Sequence, residues 1–257
     1  MVKGLYTAYT GMLNQQNKMD VLANNLANAA TTGFKKEGST SQAFDTMLAY
    51  KIKDQSVGVR AQRIGTMNLG VKIGENYVDY SQGPFKLTDN TYDLAISGNG
   101  FFCVEFTSKS GDRSIKYTRD GSFTLNVDGY LVTKDGDYLL DTNGQRIRLD
   151  PLSTTSIDQS GAIYQNDRLI TTIRLQDFAD YNYLEHYGEN YYQPVEGFEF
   201  ADADGSIIEG YLEASNVQVV SEMVNLISVT RAYESNQKLI QTIDSTLDKA
   251  VNQLGSV

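Results

Sequence analysis

LEASNVQVVSEMVNLISVTRAYESNQKLIQTIDSTLDKAVNQL, residues 212–254, is the stretch whose reading decides the fold. From Leu226 to Leu254 it carries neither Gly nor Pro, so a long uninterrupted helix is its least costly conformation. Apolar or near-apolar residues recur at Val219, Leu226, Val229, Tyr233, Ile240, Ile243, Leu247, Ala250 and Leu254. Once Glu222 and Asn236 are counted in the same row, the steps alternate between three and four, which is a heptad seam of about five repeats. Polar residues inside such a seam fix register and partner number at some cost in stability. One small domain rarely covers so long a stripe, so this helix is expected to pack against another helix.

A matching segment lies at the other end of the chain. Leu5, Tyr9, Met12, Gln16, Met19, Ala23 and Leu26 again fall at spacings of four and three. Asn24, Asn25 and Asn28 crowd its last turn and are poor helix formers, and Gly33 is a natural terminator just beyond. Isolated helices of this length are marginal in water, and burying one stripe does not clearly offset the entropy of ordering the backbone. Both terminal segments are therefore expected to be poorly ordered in the free monomer and to fold on packing together and against other copies.

Between them the pattern changes. Residues 34–74 mix Lys35, Lys36 and Glu37 with a Ser/Thr/Gly patch and scattered glycines, which reads as an extended connector with a short helix at residues 42–50. A connector this long is expected to contact something. From Tyr77 the period becomes two, with strand-like runs at residues 93–106, 114–127, 129–133 and 138–140, and shorter ones at 162–164, 169–175 and 198–200. Asp120-Gly121, Asp128-Gly129, Asp135-Gly136 and Asn143-Gly144 punctuate these runs as hairpin signals, because both central positions of a type I′ turn need positive φ. The fold class is thus α+β, with long N- and C-terminal helices pairing as a coiled coil around an inserted all-β domain. The expected division is helical at 1–35 and 212–257, a connector at 36–76, and all-β at 77–211.

Composition removes several function classes. The 257 residues hold 22 basic and 32 acidic side chains, a net charge of -10, which argues against nucleic acid or an anionic membrane as partner. Cys103 is the lone cysteine and there is no Trp, so neither an intramolecular disulfide nor a thiolate metal cluster can form. No window approaches the length of a membrane span, and residues 1–9 lack the continuous apolar run of a cleavable signal peptide. No catalytic, cofactor or metal site emerges. Gly98-Asn99-Gly100 begins like a dinucleotide loop, but Cys103 stands at the third glycine position and strand residues follow. Near Thr124, Asn126, Asp128 and Gly129 the offsets of a calcium loop occur without its bidentate Glu. His186 is the single imidazole and lacks a nucleophile elbow. The tyrosines suit a sugar-binding surface and a protein interface equally.

Several motifs together carry a resemblance. Residues 23–36, ANNLANAATTGFKK, resemble the N-terminal signature of the bacterial flagellar rod and hook proteins, and LEASNV, EMVNLI and RAYESNQKLI in order resemble their C-terminal signature. DLAISGNGFF, YTRDGSF, DGYLVT and GENYY are similar to the β-domain of the rod proteins, so the likeness covers nearly the whole chain; Ala30 and Thr230 depart from the usual residues. The hook and hook-associated proteins carry larger middle domains and the smallest proximal rod proteins lack a full β-domain. This length is similar to the two larger rod types, the distal one foremost.

The resemblance implies a non-enzymatic subunit of the basal-body rod that polymerises into a hollow helical drive shaft transmitting torque to the hook. The terminal helices would form its inner tube and the β-domain its outside. The implied partners are further copies in an open helical assembly, other flagellar rod and hook proteins, and the flagellar type III export apparatus, with no cofactor and no membrane insertion. The implied location is the basal body, exported into the periplasm and cell-wall region. Leu5, Tyr9, Met12, Met19, Leu22 and Leu26 would pack against Val219, Met223, Leu226, Val229, Tyr233, Ile240, Ile243 and Leu247 at subunit interfaces. Asn24, Asn25, Asn28, Glu213, Asn216, Arg231 and Asn236 would supply the polar register, with Gly33 and Phe34 alongside.

Overall fold

The computed structural model describes residues 2–51, 62–108, 111–188 and 190–254. The chain divides into two compact units: Met1–Ala27, Glu37–Val78 and Gln218–Val257 form the first, and Asn28–Lys36 with Asp79–Val217 the second.

In the first unit, helix α1 spans Val2–Ala27 and helix α2 spans Val219–Leu254. Between them in sequence come strands β1 (Glu37–Ala43), β2 (Met47–Lys51), β3 (Gln62–Met67) and β4 (Val71–Val78). β1 pairs antiparallel with β4, from Glu37 opposite Val78 to Ala43 opposite Val71, and β2 pairs with β3 inside that frame. The short helix expected at residues 42–50 is therefore absent: Gln42 and Ala43 end β1, and Met47 to Tyr50 open β2. A helix of two turns must nucleate unaided, whereas an extended segment here finds its hydrogen bonds on an adjacent strand. Residues 52–61, between β2 and β3 in sequence, lie outside the described residues. The stretch expected as a connector is thus a self-paired arm that groups with the helices.

The two helices touch along their length. A Cβ at Gly4 would lie 3.8 Å from Ile243 Cδ1, one at Gly11 would lie 3.2 Å from Asn236 Nδ2, and Thr230 Oγ1 is 3.6 Å from Met19 Sδ. Rising numbers on α1 meet falling numbers on α2, so the pair runs antiparallel. The step from Gly4 to Gly11 and from Ile243 to Asn236 is one heptad on each helix, and the missing side chains let the backbones approach.

The helical boundaries expected at 35 and 212 both shift. Tyr211–Glu213 is a strand paired with Phe85–Leu87, and residues 28–36 belong to the second unit. Leu212 and Glu213 are buried there, and Gly33 N–H donates to Glu213 O at 2.8 Å. Residues whose backbone and side chains are already held by strands cannot also continue a helix.

The second unit is all-β. Its main sheet runs in the order Leu184–Tyr187, Tyr191–Pro194, Arg113–Thr118, Phe101–Thr107, Tyr138–Leu139, Leu131–Val132, Thr124–Leu125, with Leu175–Phe178 also pairing along Phe101–Thr107. Thr155–Ile157, Ala162–Gln165 and Arg168–Thr172 form a separate three-stranded sheet. Alternate inward residues build the core, among them Leu94, Ile96, Phe102, Phe123, Leu139, Ile163 and Ile207, none more than 1 % exposed.

Three of the four Asp/Asn-Gly signals mark turns, though the turn type differs from the expected one; at Asp120-Gly121 no hairpin forms, because Arg113–Thr118 pairs with Phe101–Thr107 and Tyr191–Pro194 and the glycine lacks positive φ. At Gly129, Gly136 and Gly144 only the glycine has positive φ, and each glycine N–H bonds the carbonyl three residues back. That is a type I turn followed by a left-handed residue, a longer loop than the two-residue type I′ hairpin. The residues with paired positive φ are Asn166 (50°) and Asp167 (62°), which no glycine had flagged.

Candidate assembly surfaces

On α2 the least exposed positions are Glu222, Leu226, Val229, Tyr233, Asn236, Ile240, Ile243, Leu247 and Ala250, the same row that the spacing selects, together with Thr230 and Ala232. Val219, expected in the seam, and Met223, expected to pack against α1 residues at subunit interfaces, stand 40 % and 47 % exposed, and with Val220, Val224 and Ile227 they make an open apolar stripe. One residue of displacement on a helix moves a side chain by about 100°, which takes Met223 off the face that Glu222 occupies. Arg231 is also exposed.

On α1, Leu5, Met12, Met19, Leu22 and Leu26 are half-buried, while Tyr6, Tyr9 and Leu13 remain largely exposed. Leu5, Tyr6, Tyr9 and Ile240 line an apolar groove of about 430 Å³. A different row of α1 is the buried one: Thr10, Asn14, Val21 and Asn25. This row faces the β1–β4 arm. Thr7 Oγ1 lies 3.3 Å from Leu69 O, Ser41 Oγ donates to Asn14 Oδ1 at 3.1 Å, and a side chain at Gly70 would collide with Thr10. The spacing of Thr7, Thr10, Asn14 and Asn25 is visible in the sequence, but a search for apolar periodicity passes over a stripe made of hydroxyls and amides.

Asn25 ends that row. It is fully buried, its Nδ2 donates to Glu37 O at 2.7 Å and its Oδ1 accepts from Glu37 N–H at 2.9 Å, so one side chain copies a strand neighbour for β1. Asn24 reaches the Glu37 carboxylate at 3.4 Å. The expectation that Asn25 sets register between subunits is corrected: both of its hydrogen-bonding functions are used inside the chain, with no surface left for another copy. Asn25→Leu should strand the Glu37 peptide groups at about 1–3 kcal/mol for each unmatched group. Hydrogen exchange at the Glu37 amide reads this directly, and unchanged protection in the variant would refute it.

In the second unit, Lys35, Arg119 and Glu213 form a buried charge cluster, each 4 % exposed or less. Lys35 Nζ donates to Glu213 Oε1 at 2.6 Å and to Ser81 O at 2.9 Å. Gly83 N–H donates to Glu213 Oε1 at 2.9 Å, and Arg119 approaches Glu213 Oε2 at 3.4 Å. Burial pulls the Lys35 amine below its ordinary pKa, against the upward pull of Glu213. Asn216 accepts from Lys36 N–H at 2.7 Å and donates to Asp79 O and Ser81 O. Gly33 has φ +69°, and any side chain there would lie 2.4 Å from Asp120 N; Phe34 is 2 % exposed. So Gly33, Phe34 and Glu213, expected at subunit interfaces, are interior here, and Asn216 spends its amide on loops of its own unit. Asn28 is half-buried, bonded by Thr31 at 3.3 Å. Lys35 and Arg119 were not legible as partners, because nothing in a sequence distinguishes a buried lysine from a solvated one 178 residues away from its carboxylate.

A cleft of about 590 Å³ also opens in this unit, walled by Phe106, Tyr187 and Tyr191 and edged by Asp120, Lys134, Asp135 and Asn190. Cys103 and His186 serve packing. Cys103 is buried and its thiol is pushed up to about 12 by burial, so it carries no thiolate. His186 stacks edge-on to Tyr192 and Phe34. Among the described residues no group of three or more His, Cys, Asp or Glu can hold a metal, and no helix is long and apolar enough to cross a membrane.

Three family profiles match the chain in sequence order: flagella basal body rod protein at residues 5–35, flagellar hook protein FlgE/F/G D1 domain at 95–165, and flagellar basal body rod FlgEFG protein C-terminal at 208–254. Full-length relatives agree. The chain is 35 % identical to the flagellar basal-body rod protein FlgG of Buchnera aphidicola from Schizaphis graminum, over 97 % of this chain and 98 % of that one. It is 36 % identical to the flagellar basal-body rod protein FlgF of Caulobacter vibrioides over the whole of both chains, and 34 % to FlgG of Bacillus subtilis over 98 % and 99 %.

Proposed function

Because this chain belongs to the bacterial flagellar basal-body rod family, and is therefore a structural subunit of the basal body and not an enzyme, we propose that it polymerises through its terminal helices into the distal segment of the rod. The observation that carries this reading is the half-covered state of α2. Its heptad row is only partly buried by α1, while Val219, Val220, Met223, Val224 and Ile227 stay open on a second face. A contiguous apolar stripe on a soluble helix is a contact surface awaiting its partner. The groove of Leu5, Tyr6, Tyr9 and Ile240 offers a different surface on the same unit. Unlike surfaces meeting head to tail give heterologous contacts, and these propagate as an open helix when the rotation does not close.

In this reading α1 and α2 pair as an antiparallel coiled coil, with Gly4, Gly11, Asn236 and Ile243 keeping the register, and lateral contacts between copies complete the seam. The helices gain most of their burial only in the polymer, which suits export of the chain in an unfolded state by the flagellar type III apparatus and assembly outside the cytoplasm. The distal assignment rests on chain length and on likeness to relatives named FlgG over nearly their full length. The proximal type is the second reading, favoured by the FlgF relative that aligns over all of both chains.

Electron microscopy of basal bodies from cells lacking the gene tests this. A rod truncated partway with no hook supports the shaft assignment, and the break point separates distal from proximal. Complete rods would overturn it.

A further inference from the structure

We infer that the cleft of the β-rich unit is a recognition pocket for an arginine side chain presented by a partner polypeptide. The inference goes beyond the assembly reading and does not depend on it.

The lining is rich in acceptors. Asn190 Oδ1 is sealed from solvent and has no hydrogen-bond partner among the described residues, while its Nδ2 donates to Thr32 O at 3.2 Å. Asp120 accepts from Thr32 Oγ1, Ser122 N–H and Ser122 Oγ, all at Oδ1, which leaves Oδ2 outside these bonds. Asp135 stands exposed at the rim beside Lys134. A buried amide oxygen without a donor is costly unless a ligand supplies one. The walls add aromatic surface from Phe106, Tyr187 and Tyr191, and Lys116 Nζ already sits 3.9 Å from the Tyr187 ring centroid, so this wall attracts cations within the chain itself.

Charge points to the same ligand. The unit built from Asn28–Lys36 and Asp79–Val217 holds 12 of the 22 basic and 23 of the 32 acidic residues, a net of -11, whereas the helical unit holds ten basic and nine acidic. A donor-only, planar, permanently charged group that stacks on aromatic rings and bonds carboxylates is a guanidinium. An ammonium lacks the planar face, and an anion meets repulsion.

The test uses the full-length protein labelled with nitrogen-15 and titrated with N-acetyl-L-arginine amide. Its neutral isostere, N-acetyl-L-citrulline amide, and a neutral disaccharide, N,N′-diacetylchitobiose, are titrated in parallel. Arginine should shift the amide signals of residues 118–120, 133–135, 187, 188, 190 and 191 together with the Asn190 side chain, and citrulline should bind about tenfold more weakly because it lacks the charge. Asp135→Asn, a rim change that leaves the core intact, should weaken arginine about threefold, and Asn190→Leu more than that. No shift, equal shifts from citrulline, or preferential binding of N,N′-diacetylchitobiose would each overturn the proposal, the last by assigning the cleft to a saccharide.

Discussion

Glu213→Gln should destabilise the β-rich unit by about 3–5 kcal/mol, the cost of leaving a buried cation without its counterion. Two cations depend on this one carboxylate: Lys35 at 2.6 Å and Arg119 at 3.4 Å, neither more than 4 % exposed. Glutamine keeps the shape and can still accept from Gly83 N–H, so the loss isolates charge from packing. The measurement is thermal unfolding followed by near-UV circular dichroism of the many tyrosines. The pH dependence gives an independent readout. Burial holds Lys35 below its ordinary value of 10.5, and removing Glu213 removes the strongest upward pull on it. In the window between the folded value and 10.5 the unfolded chain binds the proton and the folded chain does not, so stability rises with pH there. That rise should be steeper and begin at lower pH in the variant. Pairing Glu213→Leu with Lys35→Met should recover part of the loss, leaving Arg119 as the remainder. A variant as stable as the parent would show that the cluster contributes no net stability.

Ile240→Asp should abolish rod assembly and motility while the β-rich unit stays folded. Ile240 is half-buried in the helical row of α2 and lines the apolar groove with Leu5, Tyr6 and Tyr9. A carboxylate there has no cation facing it from these residues, and burying it unpaired costs several kcal/mol on the order of a whole helix–helix contact. Gln237→Asp on the exposed side of the same helix adds the same charge and serves as the control. The expected pattern is no rods from Ile240→Asp, normal rods from Gln237→Asp, and unchanged near-UV spectra from the β-rich unit in both. Normal swimming by the Ile240→Asp strain would remove the support for assembly through the paired helices.

Periodicity made some of this molecule legible from its residues alone. The row from Leu226 to Ala250 on α2, the strand run at residues 93–106, and the glycine-marked turns at 129, 136 and 144 follow from local rules: helix pitch, strand pleat, and the freedom of glycine at positive φ. These need no knowledge of what is far away in sequence, and the motifs at both ends were enough to identify the family. The rest required the fold. Asn25 appeared as one of several surface amides, yet its two bonds to Glu37 put it at the join of α1 and β1. The polar row on α1 had no apolar signature to find. Met223 differed from a seam residue by one position, and only the described helix shows which side of Glu222 is covered. Glu213 looked like helix and interface, but strand pairing at residues 211–213 and two cations from distant segments take it into the interior.

The sequence by itself determined the two long helices, the β-rich insertion, the family, and the absence of motifs for a catalytic or metal site, because each rests on spacing between near neighbours. Only the tertiary structure decided which polar groups are buried and satisfied, where the helical segments give way to strands, and that an acceptor-lined cleft exists. Those properties depend on residues brought together across dozens to nearly two hundred positions, and no local pattern encodes such a meeting.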